Sequence, residues 1–200
     1  MAKVIANKGR RAKILEAALK CFVKTGVGNT RVKDIAIEAG VDQPLIHYYF
    51  PTIESLYKDI IEIVLNHLKE HTLEAITKNI SNPTKTLSSY IHAPFSWAEK
   101  NPGYFSIWMY FYYLASFNPF FTQVSTVIRE NGRDRISVIL YRGIESGHFK
   151  LQKGMNVKDL SINIQGLITG NTIMAGSEDR KLLPVFATIT EKQILLWLLV

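Results

Sequence analysis

The sequence predicts an all-α fold with a small N-terminal three-helix unit, arranged as a helix-turn-helix, and a larger C-terminal helical domain. Apolar residues recur at helical spacing along almost the whole chain of 200 residues. The period-two alternation that is typical of half-buried strands is absent. Glycine and proline fall mostly between the periodic segments, where they are expected to end helices.

The first three helices are predicted from their capping residues. The first runs from about Lys8 to Thr25, with Ile14, Leu15, Ala18, Leu19, Phe22 and Val23 on one face. Thr30 is the expected N-cap of a second helix that ends at Gly40. Asp42 is the expected N-cap of a third, in which Pro44 occupies the first turn.

A long fourth helix is predicted to join the two parts of the chain. It follows Pro51 and the N-cap candidate Thr52, runs from Ile53 to about Asn79, and ends before Ser81-Asn82-Pro83. Its apolar stripe comprises Ile53, Leu56, Ile60, Ile63, Val64 and Leu68. Later helices are expected at about 84–100, 103–117, 119–146, 157–175 and 185–200. The predicted domains are therefore 1–52, a connecting helix 53–80, and 81–200.

The charge is concentrated at the N-terminus. Of a formal net charge of +7, residues 1–50 contribute nine Lys and Arg against four Asp and Glu, whereas residues 51–200 carry fifteen against thirteen. A basic N-terminal quarter on a nearly neutral body predicts a polyanionic partner. Charge alone leaves open nucleic acid and an anionic membrane surface.

The remaining composition predicts a cytoplasmic location. Cys21 is the single cysteine, so no intramolecular disulfide can form, which fits a reducing compartment. The polar, basic segment from Met1 to Lys13 is followed by no apolar stretch of a secretory signal. The apolar run from Tyr104 to Phe117 is too short to span a bilayer, so no membrane association is expected.

Two short helices joined by a glycine-containing turn are the outline of a DNA-reading helix-turn-helix. The residues that form this outline are TRVKDIAIEAGV at 30–41, LIHYYF at 45–50 and ESL at 54–56. Together they resemble the signature of the tetracycline-repressor (TetR) family of transcriptional regulators. The resemblance covers roughly residues 8–60, and 143–147 (GIESG) resembles the end of that family's long seventh helix.

The resemblance implies a homodimeric, ligand-responsive regulator, most simply a repressor, that binds a palindromic double-stranded DNA operator. Lys8, Arg10 and Arg11 would add salt-dependent affinity for the DNA backbone, unless the segment is only a solvated basic tail. Either Tyr48 or Tyr49 could instead pack between helices. The implied DNA-binding residues are Thr30, Arg31, Gln43, Pro44, Leu45, His47, Tyr48, Tyr49 and Thr52.

Two positions depart from the family's usual residues. His47 stands where the family most often has tyrosine, and Ile53 stands where it tends to have a phosphate-binding lysine. The free N–H groups at the start of the fourth helix, near Thr52, would then be the group that meets the phosphate there.

The second domain contains an unusual concentration of aromatic residues, ten of which fall between Tyr104 and Phe121. Most must form a bulky core, but their number predicts that some line a pocket for a small apolar or aromatic effector. The candidate ligand-binding residues are Trp97, Phe105, Trp108, Met109, Tyr112, Phe117, Gln165 and Asn171.

The last two helices are the predicted dimer interface. Small residues four apart, Gly166 and Gly170, allow two helices to approach closely, and the stretch from Gln193 to Val200 carries no charge. A terminal helix that is apolar all round must be buried against another surface, either within its own subunit or on a second copy.

An enzymatic alternative comes from His67, Glu70 and His71, which match the H-x-x-E-H pattern of inverted zinc proteases. Their charged surroundings favour a solvated helix face instead. Neither a nucleophile elbow nor a phosphate loop nor a dinucleotide fingerprint is present in the sequence. No catalytic residue, metal or cofactor is therefore expected.

A basic helical module on a membrane surface is a second alternative, which the helix-turn-helix signature disfavours.

Overall fold

A computed structural model describes residues 2–198 of the chain, with side chains from residue 9 onward, and confirms the all-α prediction. Short 3₁₀ turns at Val27–Asn29 and Arg180–Leu182 precede α2 and α9, and the described residues contain no strand. The helices are α1 (Ala2–Thr25), α2 (Val32–Ala39), α3 (Gln43–Tyr49), α4 (Ile53–Thr77), α5 (Pro83–Lys100), α6 (Pro102–Ala115), α7 (Pro119–Glu145), α8 (Val157–Glu178) and α9 (Leu183–Leu196).

The chain divides into two compact units. The first comprises the residues up to His67 together with Pro102–Phe111, and the second comprises Leu68–Asn101 and the residues from Tyr112 onward. The division thus falls inside α4 and inside α6. The first part of each helix packs in the first unit, and the last part of each packs in the second. The functional limits 1–52, 53–80 and 81–200 stay a prediction.

The first unit is built around the apolar faces of its short helices. α1 packs on α2, and α2 packs on α3. Gly103 at the start of α6 lies so close to the Val23 side chain that a Cβ atom at residue 103 would clash with it. The fully buried side chains include Ile14, Ala18 and Phe22 of α1, Ile35 and Ala39 of α2, and Ile46 of α3.

The start of α2 differs from the prediction. The N-cap is Arg31, whose backbone N–H donates to the Asp34 carboxylate at 3.0 Å, and the helix begins at Val32. The prediction of Thr30 as N-cap was wrong because its hydroxyl donates to the Gly26 carbonyl at 2.8 Å. It also lies 2.9 Å from the Thr25 hydroxyl, so it fastens the preceding turn.

The start of α4 agrees with the prediction. The Thr52 hydroxyl accepts a hydrogen bond from the backbone N–H of Ser55 at 3.0 Å, and the Ser55 hydroxyl accepts one from the Thr52 N–H at 3.3 Å. This reciprocal pair satisfies two donors that would otherwise be unpaired at the helix start.

The apolar stripe of α4 is only partly as predicted. Ile53 and Ile63 are exposed, whereas Tyr57 and Ile61 are buried. The predicted stripe omitted Tyr57 because a tyrosine has both an apolar ring and a polar hydroxyl, so the sequence alone does not show that it is buried. The Tyr57 hydroxyl donates to the backbone carbonyl of Ile107 in α6 at 2.7 Å, and the helix turns to bury this residue.

The second unit is a helical bundle in which α5 packs on α7, α8 and α9, and α8 packs on both α7 and α9. The aromatic ring of Phe149 lies directly on Gly143, so a side chain at residue 143 would clash with it. The C-terminal helix was predicted to continue to residue 200, but α9 ends at Leu196. Lys150 and Gln152 donate to the carbonyls of Leu198 and Leu196 at 3.1 and 3.0 Å, which holds the chain after the helix.

The buried Tyr57 hydroxyl generates a pH-dependent prediction. Tyr57→Phe should lower the free energy of unfolding by about 1 kcal/mol at pH 7 because it removes an internal hydrogen bond. Burial raises the pKa of Tyr57 above its ordinary value. The neutral phenol therefore stabilises the fold below pH about 10, the unfolded-state pKa, and this contribution is lost as the pH rises further.

Urea unfolding at pH 7 and at pH 10.5 tests this expectation. The difference between the wild type and Tyr57→Phe should shrink at the higher pH, because phenylalanine cannot ionise. Tyr141→Phe, which alters an exposed ring, is the control and should change stability by less than about 0.5 kcal/mol at either pH. A constant difference across the two pH values would show that the Tyr57 hydroxyl does not resist ionisation.

Candidate nucleic-acid interface

The short helix α3 presents one polar face to solvent. Gln43, Pro44, His47 and Tyr48 are exposed, and pairs of them four residues apart share that face. Ile46 on the opposite side is fully buried, as is Phe50, which follows the helix. The apolar side of α3 is thus fixed in the core while its polar side is available to a partner.

The turn between α2 and α3 fixes how α3 is presented. Gly40 ends α2 in the left-handed conformation, with φ of 59°, which glycine adopts without strain. The N–H groups of Gly40 and Val41 donate to the carbonyls of Ile37 and Ala36 at 3.1 and 3.0 Å. Pro44 lies in the first turn of α3, where its missing N–H leaves no bond unmade.

The two tyrosines of α3 have different surroundings. Tyr48 is 72% exposed and meets the ring of Tyr49 edge-on, with centroids 5.1 Å apart. Tyr49 and Leu45 are half-buried, so they also pack against the unit. Tyr48 is therefore the more available of the two aromatic rings, and Leu45 and Tyr49 combine packing with partial exposure.

At the start of α2, only one of the two predicted phosphate-binding side chains is available. Arg31 is exposed at the helix N-terminus, where the helix dipole also favours an anion. The Thr30 side chain is only 7% exposed, and its hydroxyl is bonded within the turn. The Thr30 side chain is thus engaged within the turn, and its phosphate contact stays a prediction.

The predicted basic arm divides in the structure. Arg10 is exposed, and the side chain of Lys8 lies outside the described residues. Arg11 forms an ion pair with Asp59 of α4, and its guanidinium stacks over the Phe50 ring, 4.9 Å from the centroid. Arg11 thus fastens α1 to α4 while 47% of its side chain stays exposed, and its contact with the DNA backbone stays a prediction.

A groove beside α3 was not predicted from the sequence. It is an open depression of about 480 Å³ between α2 and the start of α3, lined by Lys33, Ile37, Val41 and Gln43 among others. The Ile37 side chain is 79% exposed. The sequence feature that could have indicated this groove is an isoleucine on the outer face of an otherwise charged helix.

The eight candidate ligand-binding residues do not form one group within either unit. In the first unit, Phe105 and Trp108 are buried with ring centroids 5.8 Å apart, and Met109 is half-buried. In the second unit, Trp97 is buried, but Phe117 is 60% exposed. Phe117 follows the end of α6 and is not enclosed by the described residues of its unit, so its part in a pocket stays a prediction.

Polar candidates in the second unit belong to networks between helices. Asn171 of α8 donates to the Thr190 hydroxyl of α9 at 2.8 Å. Gln165 of α8 donates to the Thr169 hydroxyl at 3.2 Å and accepts from the Tyr90 hydroxyl at 3.5 Å. The amide of Asn171 therefore has a structural role, whereas Gln165 lies in a larger cluster.

The H-x-x-E-H residues have separate surroundings. The His67 ring meets Tyr104 edge-on with centroids 5.1 Å apart, and the Nε2 atom of His71 lies 2.9 Å from the Ser96 hydroxyl. Glu70 is exposed. Across residues 2–198, no three His, Cys, Asp or Glu side chains are grouped so that they could hold a metal ion.

None of the helices in the described part of the chain is both long enough and apolar enough to cross a membrane. The aromatic helix α6, the strongest candidate in the sequence, is 14 residues long.

Comparison with known proteins agrees with this geometry. Residues 14–60, which contain α2, α3 and the start of α4, match the sequence model of the bacterial regulatory proteins of the tetR family. The regulator BetI of Agrobacterium fabrum is 31% identical over 112 residues, which are 56% of this chain and 54% of that protein. Over its helix-turn-helix residues the chain is therefore similar to the tetR family of bacterial regulatory proteins.

Solved structures of transcriptional regulators extend the likeness of fold over nearly the whole chain. A regulator from Haloarcula marismortui superposes with a TM-score of 0.83 at 16% identity, over 96% of this chain and 100% of that one. A regulator from Saccharomonospora viridis, solved with choline, gives 0.78 at 18% identity, over 96% and 98%. In sequence, the chain spans about half the length of the curated relatives it matches.

The role assigned to Arg11 generates a prediction about stability. Arg11→Ala should lower the free energy of unfolding by about 1 kcal/mol, since both the ion pair with Asp59 and the stacking on Phe50 are lost. Arg10→Ala removes the same charge at the exposed neighbouring position and should cost less than about 0.5 kcal/mol. Urea unfolding followed by circular dichroism gives both values. Equal values for the two variants would show that the Arg11 contacts do not stabilise the unit.

Proposed function

We propose that this chain is a homodimeric transcriptional repressor of the TetR family, which acts in the cytoplasm and leaves its operator when a small molecule binds the second unit. The exposed face of α3 is the observation that carries this proposal. Gln43 and His47 project from a helix whose other side is buried, as direct reading of base edges in the major groove requires.

The groups around α3 support a division of labour on DNA. The amide of Gln43 can bond an adenine at two atoms, and the apolar surfaces of Pro44 and Leu45 can meet a thymine methyl group. Arg31, with Tyr48, would contact phosphates and set the register. The start of α4 after Thr52 would turn the positive end of the helix dipole toward a further phosphate.

The exposed apolar face of α8 and α9 supports a dimer. Ile162 and Met174 are exposed on α8, and the α8 glycines 166 and 170 between them have open space in front of their Cα atoms. Ile168 of the same helix is, in contrast, buried within the subunit. The exposed apolar residues of α9 are Val185, Ile189 and Leu196.

A second copy of the chain fits this face because the same stripe is self-complementary about a twofold axis. An apolar surface of this extent is costly to leave in water. A symmetric dimer also places two α3 helices on one duplex, which predicts a palindromic operator.

The effector site is proposed for the second unit, with Trp97, Tyr112 and Gln165 as candidate ligand-binding residues. Trp97 supplies buried apolar surface, while the other two supply polar groups. An effector that binds the DNA-free form more tightly must lower operator affinity by the same factor by which operator lowers effector affinity. No catalytic step is part of this proposal, and His67, Glu70 and His71 have no place in it.

The base-reading role of Gln43 is tested with an operator recovered by selection from random DNA. Gln43→Ala should weaken binding to that operator by about 1–3 kcal/mol and leave binding to a scrambled duplex nearly unchanged. Gln123→Ala, an exposed glutamine on α7, is the control and should alter neither affinity. Equal losses on both duplexes would mean that Gln43 does not read a base.

The dimer is tested by placing a charge on the exposed face of α9. Leu196, which is 64% exposed, becomes buried if the proposal holds, so Leu196→Glu should produce monomers or insoluble protein. Ile189→Glu should act in the same way. Ile37→Glu introduces the same charge on α2 and should leave the dimer intact. Unchanged sedimentation of both α9 variants would place the interface elsewhere.

A further inference from the structure

The second unit contains an arginine in an unusual setting. Arg129 of α7 is half-buried, and its Nη1 atom donates to the hydroxyl of Ser125 at 2.5 Å. Ser125 is itself only 1% exposed. The guanidinium therefore lies against the packed side of α7, and part of its hydration shell has been removed.

The charge of Arg129 is not balanced by an ion pair. Over the residues that the structure describes, no carboxylate lies within salt-bridge distance of it. Arg133, one turn further along the same helix, does have such a partner, with its Nη2 atom 3.9 Å from Glu130. A partly desolvated guanidinium that has only a neutral hydroxyl partner retains most of its capacity to bind an anion.

The groups near Arg129 are neutral and rich in hydroxyls. The Tyr112 hydroxyl is bonded to Thr169, and Arg129 is near enough to affect it electrostatically. Burial raises the pKa of Tyr112, while Arg129 and Thr169 act in the opposite direction. Thr169 in turn accepts from Gln165, which is bonded to Tyr90. Arg129 thus lies beside a chain of neutral polar groups that links α5, α6 and α8, and a second guanidinium, that of Arg135, acts on Tyr90 at the other end of this chain.

We propose that the second unit binds an effector with a carboxylate group, which forms a charged hydrogen-bonded pair with Arg129. This inference rests on the proposed ligand-responsive function and names the chemical class of its effector. The planar fork of a guanidinium matches the two oxygens of a carboxylate. The hydroxyls of Ser125 and Tyr112 would supply further contacts. The rest of the molecule is apolar, as the aromatic content of the unit predicts.

The observations favour a monoanion over two other ligand classes. The Arg129 guanidinium matches the one charge of a carboxylate, whereas a phosphate monoester would bring a second charge. A quaternary ammonium compound such as choline would be repelled by Arg129, and no carboxylate pairs with the guanidinium within the described residues to offset that repulsion.

The test measures direct binding to the full-length protein without DNA. Decanoate and 4-phenylbutyrate are compared with their own amides, decanamide and 4-phenylbutyramide, and with choline, by isothermal titration calorimetry. At least one carboxylate should bind about tenfold more tightly than its amide, because a hydrogen bond to a charged group is the stronger. Choline should not compete with it.

Substitutions then assign the preference to Arg129. Arg129→Met should abolish the preference for carboxylate over amide and change amide affinity by less than about threefold, since uncharged groups retain their packing. Arg133→Met is the matched control and should keep the preference. Arg129→Gln replaces the methionine variant if circular dichroism shows that the latter is unfolded. If both Arg129 variants are unfolded, the residue is structural and the proposal fails.

The outcomes separate this inference from the proposed function. Binding of no carboxylate, equal affinity for acid and amide, tighter binding of choline, or an unchanged preference in Arg129→Met would each overturn the carboxylate assignment. None of these results bears on whether α3 reads an operator, which is measured on DNA without effector. Conversely, a protein that binds decanoate through Arg129 but no specific DNA would retain the site and refute the repressor.

Discussion

The DNA-facing surface depends on the burial of two apolar residues, Ile46 and Phe50. A helix of seven residues is not stable by itself in water, because nucleation costs more than so few hydrogen bonds return. Packing of these side chains supplies the missing stability and also fixes the rotation of α3 about its own axis. That rotation is what exposes Gln43 and His47 on one face.

Positive charges serve different purposes in the two units. Arg11 neutralises Asp59 and lies over the Phe50 ring, so one cation both fastens α4 to α1 and covers the core beneath α3. Arg129 lacks such a carboxylate among the described residues and depends on the hydroxyl of Ser125. Arginines of the same formal charge thus differ in availability, because only the packed structure decides which of them is already paired.

Close approach of helices in the second unit is governed by small residues. The Phe149 ring covers Gly143, and the Gln165 side chain lies on Gly132, so α7 is narrow where α8 and the following loop pack on it. The α8 glycines 166 and 170 face open space instead. The α7 glycines therefore allow close packing inside the subunit. The α8 glycines lie on the face that is proposed to contact the second copy.

The sequence by itself determined the fold class, the order of the helices and most of their ends. Helical periodicity, Gly40 and Pro44, and the break at Ser81–Pro83 act over a few residues, and local rules describe them well. The residues of α3 expected to face DNA came instead from the resemblance to a known family, which these local rules do not supply.

Only the tertiary structure decided which side chains are available for function. It turned Thr30 inward, paired Arg11 with Asp59, exposed Phe117 and left Arg129 without a carboxylate among the described residues. Each of these outcomes depends on residues far apart in the chain or on how a turn packs. Spacing along one helix cannot encode them, because the free energy of a polar or charged group is set by the neighbours that replace its water.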